Sequence, residues 1–413
     1  MPGLSVIAAA AYVLLQRHTQ VAGEWVVGGF EAKGLAYALV FFGIERFIAG
    51  RWNLALTLLG AATALHVLVG GWSLVALAFA GGLEGTHRFP ARKLIPGLAA
   101  GAGLALCGLV PALALNWGVP RDVLDQANQI YVYQRLPHHL NPLRFSGAKL
   151  AVQLAFACLF VLMSFWRLRA AEVRLTSFVL GTVAIALVGG GLALATQGYP
   201  SVYASLMSYF WFRLSDAMLP LGVVLLATAT VAGTLRIWLV GAAPGGGPRT
   251  RLLPWAVLAG MISAIGLAWP WRMPALTGPA RAERGMQGAE LAAWRDVCAW
   301  IRANTPSHAC FLTPLEAETF KWQAQRGQFV NWKDIPQDAR GIVEWKRRID
   351  LVVKTRGKPE ALRQLAAEHG VAYVLLGRSE ALEGMADSPS RISRRAIWLR
   401  RKMTPVRSSC VQA

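Results

Sequence analysis

The sequence predicts a polytopic α-helical membrane protein of about eight or nine membrane segments, with a soluble α/β domain at its C-terminal end. Two properties of the whole chain predict this. Hydrophobic residues fill 55% of the 413 positions and mean hydropathy is +0.41, above the roughly 45–50% apolar content of soluble domains. The charge is also unevenly placed. Residues 1–270 hold 18 Lys and Arg with 8 Asp and Glu, whereas residues 271–413 hold 24 and 14. A lipid-solvated helical domain over 1–271 therefore gives way near Trp271 to a water-solvated domain over 272–413.

Apolar runs lie at about 4–16, 34–50, 53–66, 70–84, 94–116, 149–167, 175–195, 214–240 and 252–271. A helix that crosses a bilayer needs about 20 such residues. The stretch Asn53–Ala80 reads as one long helix or as a hairpin of two short ones broken at Gly70-Gly71. In the hairpin, Arg46 and Arg51 share a face with Arg88, Arg92 and Lys93, and Arg167, Arg169, Arg174, Arg249 and Arg251 join them. Short loops rich in Lys and Arg mark the cytoplasmic side. The nine segments then start inside and deliver the tail to the exoplasmic, periplasmic side of a bacterial inner membrane. Met1–Gln16 has no basic start and no cleavage site, so it is read as a membrane segment rather than a signal peptide. Gly241–Arg251, rich in Gly and Pro, reads as a flexible connector. An exoplasmic loop at about 117–148 includes Val119–Gln134. Its Val123, Ala127, Ile130 and Tyr131 share one helical face, as in a helix lying on a membrane surface.

The net charge of +20 is assigned to these loops and to a tail facing lipid headgroups or a phosphate-bearing substrate; no nucleic-acid partner is expected. The five cysteines have no metal spacing. Cys298 and Cys310 are read either as a pair or as thiols.

The tail alternates helices and strands, which argues a small α/β domain. Helices are expected at Glu290–Ala303, Glu316–Arg326, Ala339–Val353 and Glu360–His369. Strands are expected at Ala309–Thr313, Gln328–Trp332 and Val371–Leu376, with an edge strand at Arg395–Arg400. Trp322, Arg326, Trp332 and Lys333 are read as either a sugar- or phosphate-binding surface or a Trp-rich core.

The block Trp294–Pro306, with Phe311-Leu-Thr-Pro314, Phe320-Lys-Trp322, Arg326, Asn331-Trp-Lys333-Asp and Glu344-Trp345, resembles the C-terminal domain of an uncharacterised bacterial membrane-protein family. Upstream, Gly29-Phe30-Glu31-Ala32-Lys33, His66–Trp72, Pro137-His138-His139 and Phe212-Arg213-Leu-Ser-Asp216 extend the likeness over most of the chain. That family is similar in layout to the GT-C glycosyltransferases. The resemblance implies transfer of a sugar from a polyprenyl-phosphate donor to an exoplasmic acceptor, with membrane lipid and the lipid-linked donor as partners. It implies no fixed metal set, although some GT-C enzymes need a divalent ion. It also implies an acid in the first exoplasmic loop. Here that loop, Arg17–Lys33, offers Glu24 and Glu31 and no aspartate. Either a glutamate serves, or the acid lies upstream of Met1, or the chain is not a transferase.

Such a reaction needs a carboxylate for the acceptor and cations for the leaving phosphate. Asp216 and Arg213, three residues apart at a helix start, fit these roles, or form an ion pair on one helix. Glu31 and Lys33 fit them too, or are interfacial charges reaching toward headgroups. Asp216 or Glu31 is thus the candidate acid. Arg213, Lys33 and Arg144 are the candidate phosphate ligands, and His138, His139 and His66 the orienting groups. A transporter or lipid flippase, or a non-catalytic component whose tail binds a partner, are the alternative functions.

Overall fold

The computed structural model describes residues 2–27, 31–84, 91–165, 170–239, 259–260, 263, 289–355, 358–376 and 397–400. The expectations that rest on Gly29, Phe30, Arg88, Arg167, Arg169, Gly241–Arg251 and most of the run 252–271 lie outside these residues. The chain divides into two compact units, Met1–Gly118 with Asn128–Leu276, and Val119–Ala127 with Thr277–Ala413.

The first unit is a helical membrane bundle. Its helices are α1 (Pro2–His18), α2 (Ala32–Ile48), α3 (Trp52–Leu65), α4 (Val67–Glu84), α5 (Ile95–Ala114), α7 (Pro137–Leu140), α8 (Gly147–Ser164), α9 (Ala170–Thr196), α10 (Pro200–Met207) and α11 (Arg213–Leu239); α6 (Arg121–Gln129) straddles the two units. Among the described residues, five helices are long and apolar enough to cross a membrane: Val67–Glu84, Arg92–Ala114, Gly147–Ser164, Ala170–Thr196 and Arg213–Gly233. The helix Trp52–Leu65 is apolar but shorter. At about 1.5 Å per residue it reaches only part of the hydrocarbon depth.

The stretch 53–80 is a hairpin, and its break falls at His66 rather than at Gly70-Gly71. His66 is extended (φ −153°, ψ 100°), ending α3 and starting α4. The glycine serves the packing instead. A Cβ on Gly70 would stand 2.1 Å from the Thr63 nitrogen, so the returning helix can lie against α3 only without a side chain there. At the open end of the hairpin Gly81 faces the Trp52 ring. The same device holds α5 on α3, where a Cβ on Gly60 would meet the Gly101 carbonyl oxygen at 2.1 Å. Such close approach lets dispersion contacts hold helices in lipid, where apolar burial gives little driving force.

These contacts define two ends of the bundle. One gathers the C-terminal ends of α2 and α4 and the N-terminal ends of α3, α5 and α9. There Arg174 Nε donates to Glu84 Oε1 at 2.8 Å and its Nη1 to the Ile48 carbonyl at 3.2 Å, while Asn53 Nδ2 donates to the Lys93 carbonyl at 2.9 Å. Arg51, Arg92 and Lys93 are exposed at this end. The opposite end gathers the α1–α2 loop, the His66 turn, the 130–146 segment and the start of α11. Between the two ends runs a core that includes Tyr37, Val40, Phe47, Leu59, Phe178, Leu214 and Met218.

The segment after α6 is a π-helical turn, Ile130–Arg135. It seats Val132 among Leu140, Tyr203, Met207 and Phe210. Tyr133 stacks on Tyr203, whose hydroxyl bonds Asn141 Oδ1 at 2.6 Å.

The second unit contains α12 (Ala289–Asn304), β1 (Cys310–Leu312), α13 (Phe320–Ala324), β2 (Gly327–Gln328), α14 (Ala339–Thr355), α15 (Pro359–Glu368), β3 (Tyr373–Leu376) and β4 (Ile397–Arg400). The sheet order is β2-β1-β3-β4; β1 runs parallel to β2 and β3, and β4 is an antiparallel edge, as its alternating sequence predicts. Strand β2 begins one residue earlier than expected and is shorter, because Asn331 turns the chain by accepting from the Asp334 amide at 2.7 Å. Helix α12 lays Val297, Cys298 and Ile301 on Phe311 and Phe320. Helix α14 buries Ile342, Trp345 and Ile349. Cys310 is disulfide-bonded, and its partner is not Cys298, which keeps its thiol.

Candidate functional site

The polar end of the bundle is organised by the first loop. Helix α1 stops at His18, and the chain then folds so that its backbone groups are taken up by side chains from distant helices. Asp216 accepts from the amides of Val21 at 2.9 Å, Ala22 at 2.9 Å and Glu24 at 3.3 Å. His139 bonds the Ala22 carbonyl through Nδ1. Gln16 Nε2 donates to the Glu24 carbonyl at 2.5 Å. Buried backbone groups need such partners, since none is supplied by lipid or by a regular ladder. Gly23 (φ +70°) makes the turn, and a Cβ there would stand 3.1 Å from the His139 ring. Val21 and Ala22 pack with Phe145 and Phe212.

The product of this folding is a buried Glu24. It is 2% exposed and sits between two cations, with Oε2 at 3.0 Å from Arg213 Nε and 3.7 Å from Lys33 Nζ. Arg213 is held from two more directions. Its guanidinium lies 3.8 Å over the Phe210 ring, and its Nη1 is 3.2 Å from His66 Nε2. Phe210 itself has φ +54°. A bulky residue in that region is strained by about 1–2 kcal/mol, and such strain gathers at functional sites. His66 Nδ1 also lies 3.3 Å from the Val69 amide. A neutral imidazole accepts at one nitrogen only, so His66 serves either Val69 or Arg213 at a given moment. Lys33 Nζ lies 3.9 Å from the Trp25 ring and 3.8 Å from Glu31 Oε2.

The ion pair is close but not saturated. Arg213 Nε faces Glu24 Oε2 out of line for a hydrogen bond, and among the described residues Arg213 Nε and Glu24 Oε1 both lack a hydrogen-bond partner. The buried hydroxyls of Tyr12 and Tyr37 also lack one, and the charge of Glu24 acts on both.

His139 is outside the spans. Its pKa is brought down to about 4, first by burial and then by the nearby charges of His138, Arg213 and Lys33, against the pull of its bond to Ala22. The ring is therefore neutral at pH 7, with Nδ1–H donating to Ala22.

The structure brings Arg213, Lys33, His66 and His139 of the sequence candidates together and separates the others. Asp216 does not pair with Arg213 and is not placed to act on an acceptor. It is 0% exposed and spends its carboxylate on three backbone amides, because a charge buried at a helix start is stabilised best by fixed N–H donors. Glu31 is the rim acid, with its side chain 56% exposed. His138 is exposed, its ring 4.1 Å from that of His139. Arg144 is exposed beside Phe145, which packs against Val21 and Ala22 of the first loop. The acid that the sequence reading named in the loop but did not choose, Glu24, stands at the centre. Tyr12, Tyr37 and Phe210 were not singled out. The signal for Glu24 was its isolation: a lone carboxylate between Gly23 and the apolar Trp25-Val26-Val27 must find distant cations or stay in water.

A divalent ion does not fit this donor set. Glu24 is already opposed by two cations, and no three His, Cys, Asp or Glu side chains are grouped for a metal among the described residues.

In the C-terminal unit Arg326 binds the end of α12, with Nη2 donating to the Arg302 and Thr305 carbonyls at 2.6 Å. Lys333 pairs with Glu318 at 3.6 Å. Trp322 is 82% and Trp332 38% exposed, so these residues do not form a common core.

Residues 292–352 match the model of a family described as a domain of unknown function (DUF6798). No curated protein matches the chain.

Proposed function

We propose that the chain is a GT-C-like membrane glycosyltransferase that moves a sugar from a polyprenyl-phosphate donor to an exoplasmic acceptor. In this reading Glu24 takes the acid's place that Asp216 and Glu31 were expected to fill. Arg213 and Lys33 steady the donor phosphate, and Arg144 meets it at the rim. His66 and His139 hold Arg213 and the first loop in register. The observation that carries the reading is the convergence of Glu24, Arg213, Lys33, His66 and His139, from separate helices, at one end of the bundle.

Sidedness supports it. At the opposite end Arg51, Arg92 and Lys93 are exposed in short connections between helices, the pattern that the positive-inside rule reads as cytoplasmic. With the nine segments read from the sequence the tail then lies outside, and a disulfide at Cys310 suits an oxidising compartment.

The test is transfer of labelled sugar from a panel of polyprenyl-phosphate monosaccharides by the full chain in proteoliposomes. Glu24→Gln should lower the rate by about 100-fold or more, and Arg213→Lys should weaken donor binding. Full turnover by Glu24→Gln would sink the proposal.

A further inference from the structure

Four polar atoms at the centre of the bundle's polar end have no hydrogen-bond partner among the described residues: Glu24 Oε1, Arg213 Nε, and the hydroxyls of Tyr12 and Tyr37. Glu24, Tyr12 and Tyr37 are each more than nine-tenths buried. Leaving one such group unsatisfied costs about 1–3 kcal/mol, and native structures keep few of them. The tyrosines are on different helices, α1 and α2, and share Phe41 as a ring neighbour, at 5.7 and 6.2 Å. The charge of Glu24 acts on both hydroxyls, and the Tyr37 phenol lies within the electrostatic reach of Tyr12. The same end of the bundle holds Phe210 in a strained conformation under Arg213.

The chemistry of the four atoms selects a ligand. Glu24 Oε1 needs a donor and Arg213 Nε needs an acceptor, while a phenol hydroxyl can do either. A phosphate or carboxylate brings acceptors only and would confront the Glu24 carboxylate. A metal cation would confront Arg213 and Lys33. Neighbouring alcohol groups answer every need at once, since each hydroxyl donates one bond and accepts others. We infer that Glu24, Tyr12, Tyr37 and Arg213 form a buried subsite for the hydroxyl groups of a neutral polyol, a sugar ring in particular. This deepens the transferase reading, on which the choice of a sugar rests. It separates two tasks at one end of the bundle: Lys33 and the outer side of Arg213 face phosphate, and the inner atoms read hydroxyls.

Binding, and not transfer, tests the subsite. The full chain in detergent is melted with neutral methyl glycosides and, separately, with inorganic phosphate. Glycosides at millimolar concentration should raise the Tm of the wild type. Tyr12→Phe and Tyr37→Phe should each reduce that shift, and the double variant should abolish it. The rings keep their packing on Phe41, so these variants retain the fold. Glu24→Gln should also lose the shift, because its amide offers a different donor pattern. A wild type indifferent to every glycoside, or a shift undiminished in the double variant, would overturn the inference. So would a phosphate shift that vanishes with the two hydroxyls while glycosides do nothing. Sugar transfer measured alongside either of these results would leave the transferase reading standing without the subsite.

Discussion

Both ends of the helical bundle bury an arginine against a glutamate, and the two pairs are built differently. Arg174 meets Glu84 in a hydrogen bond of 2.8 Å and gives a second bond to the Ile48 carbonyl. Arg213 meets Glu24 at 3.0 Å out of line, shares His66 with a backbone amide, and rests on a strained Phe210. The first pair locks α2, α4 and α9 together, as a structural ion pair should. Each pair leaves one carboxylate oxygen, Glu84 Oε2 and Glu24 Oε1, without a hydrogen-bond partner among the described residues, so the difference lies in the arginine: Arg174 bonds through both Nε and Nη1, whereas Arg213 Nε makes no hydrogen bond.

The sharpest way to break this comparison is to remove the scaffold of the open end. Asp216→Ala strands three backbone amides at 0% exposure. At about 1–3 kcal/mol for each stranded group, it should destabilise the chain by about 5 kcal/mol and release the first loop. Thermal unfolding in detergent measures this, and thiol labelling of an engineered Ala22→Cys reports the loop. A stable, unlabelled variant would mean that Asp216 does not hold the loop. Next comes the closed end. Arg174→Ala leaves Glu84 buried without its cation and should cost about 3 kcal/mol, read from the same melt. It should leave any ligand-induced shift at the other end in place; loss of that shift would show that the two ends are not independent.

The smallest effect is one of pH. His139 has a folded pKa of about 4, below the usual imidazole value of about 6.5. Between these values the unfolded chain binds the extra proton and the folded chain does not. The stabilisation is therefore complete above pH 6.5 and declines as pH falls toward 4, by up to about 2 kcal/mol. His139→Asn keeps an N–H for the Ala22 carbonyl but does not titrate there. Its melting curve should be flatter across that interval, and an equal slope in both proteins would exclude His139 as the source.

The helices were legible because lipid solvation imposes a local rule. A run such as Ala170–Thr196, with few charges, must satisfy its backbone within itself and becomes a helix. In the tail, the alternation of Ile397–Arg400 marked its place at the sheet edge for the same local reason. The break in the hairpin was misplaced to Gly70-Gly71, because in this bundle glycine marks where helices touch as well as where they end. Only the Thr63 contact distinguishes the two uses. The carboxylate that pairs with Arg213 was misplaced for a similar reason. Spacing on one helix suggested Arg213 with Asp216, and it contains no information about a loop 192 residues away that takes Asp216 as its own anchor.

Sequence alone determined the membrane character, the helical runs, the α/β pattern of the tail and most of the polar residues that gather at one end. These follow from composition and from periodicities of a few residues. Tertiary structure decided which carboxylate is a scaffold and which faces the cations, and it left two buried tyrosine hydroxyls without a hydrogen-bond partner among the described residues. Burial and pairing are properties of positions in space, set by helices that meet across nearly two hundred residues of chain, and no local pattern encodes them.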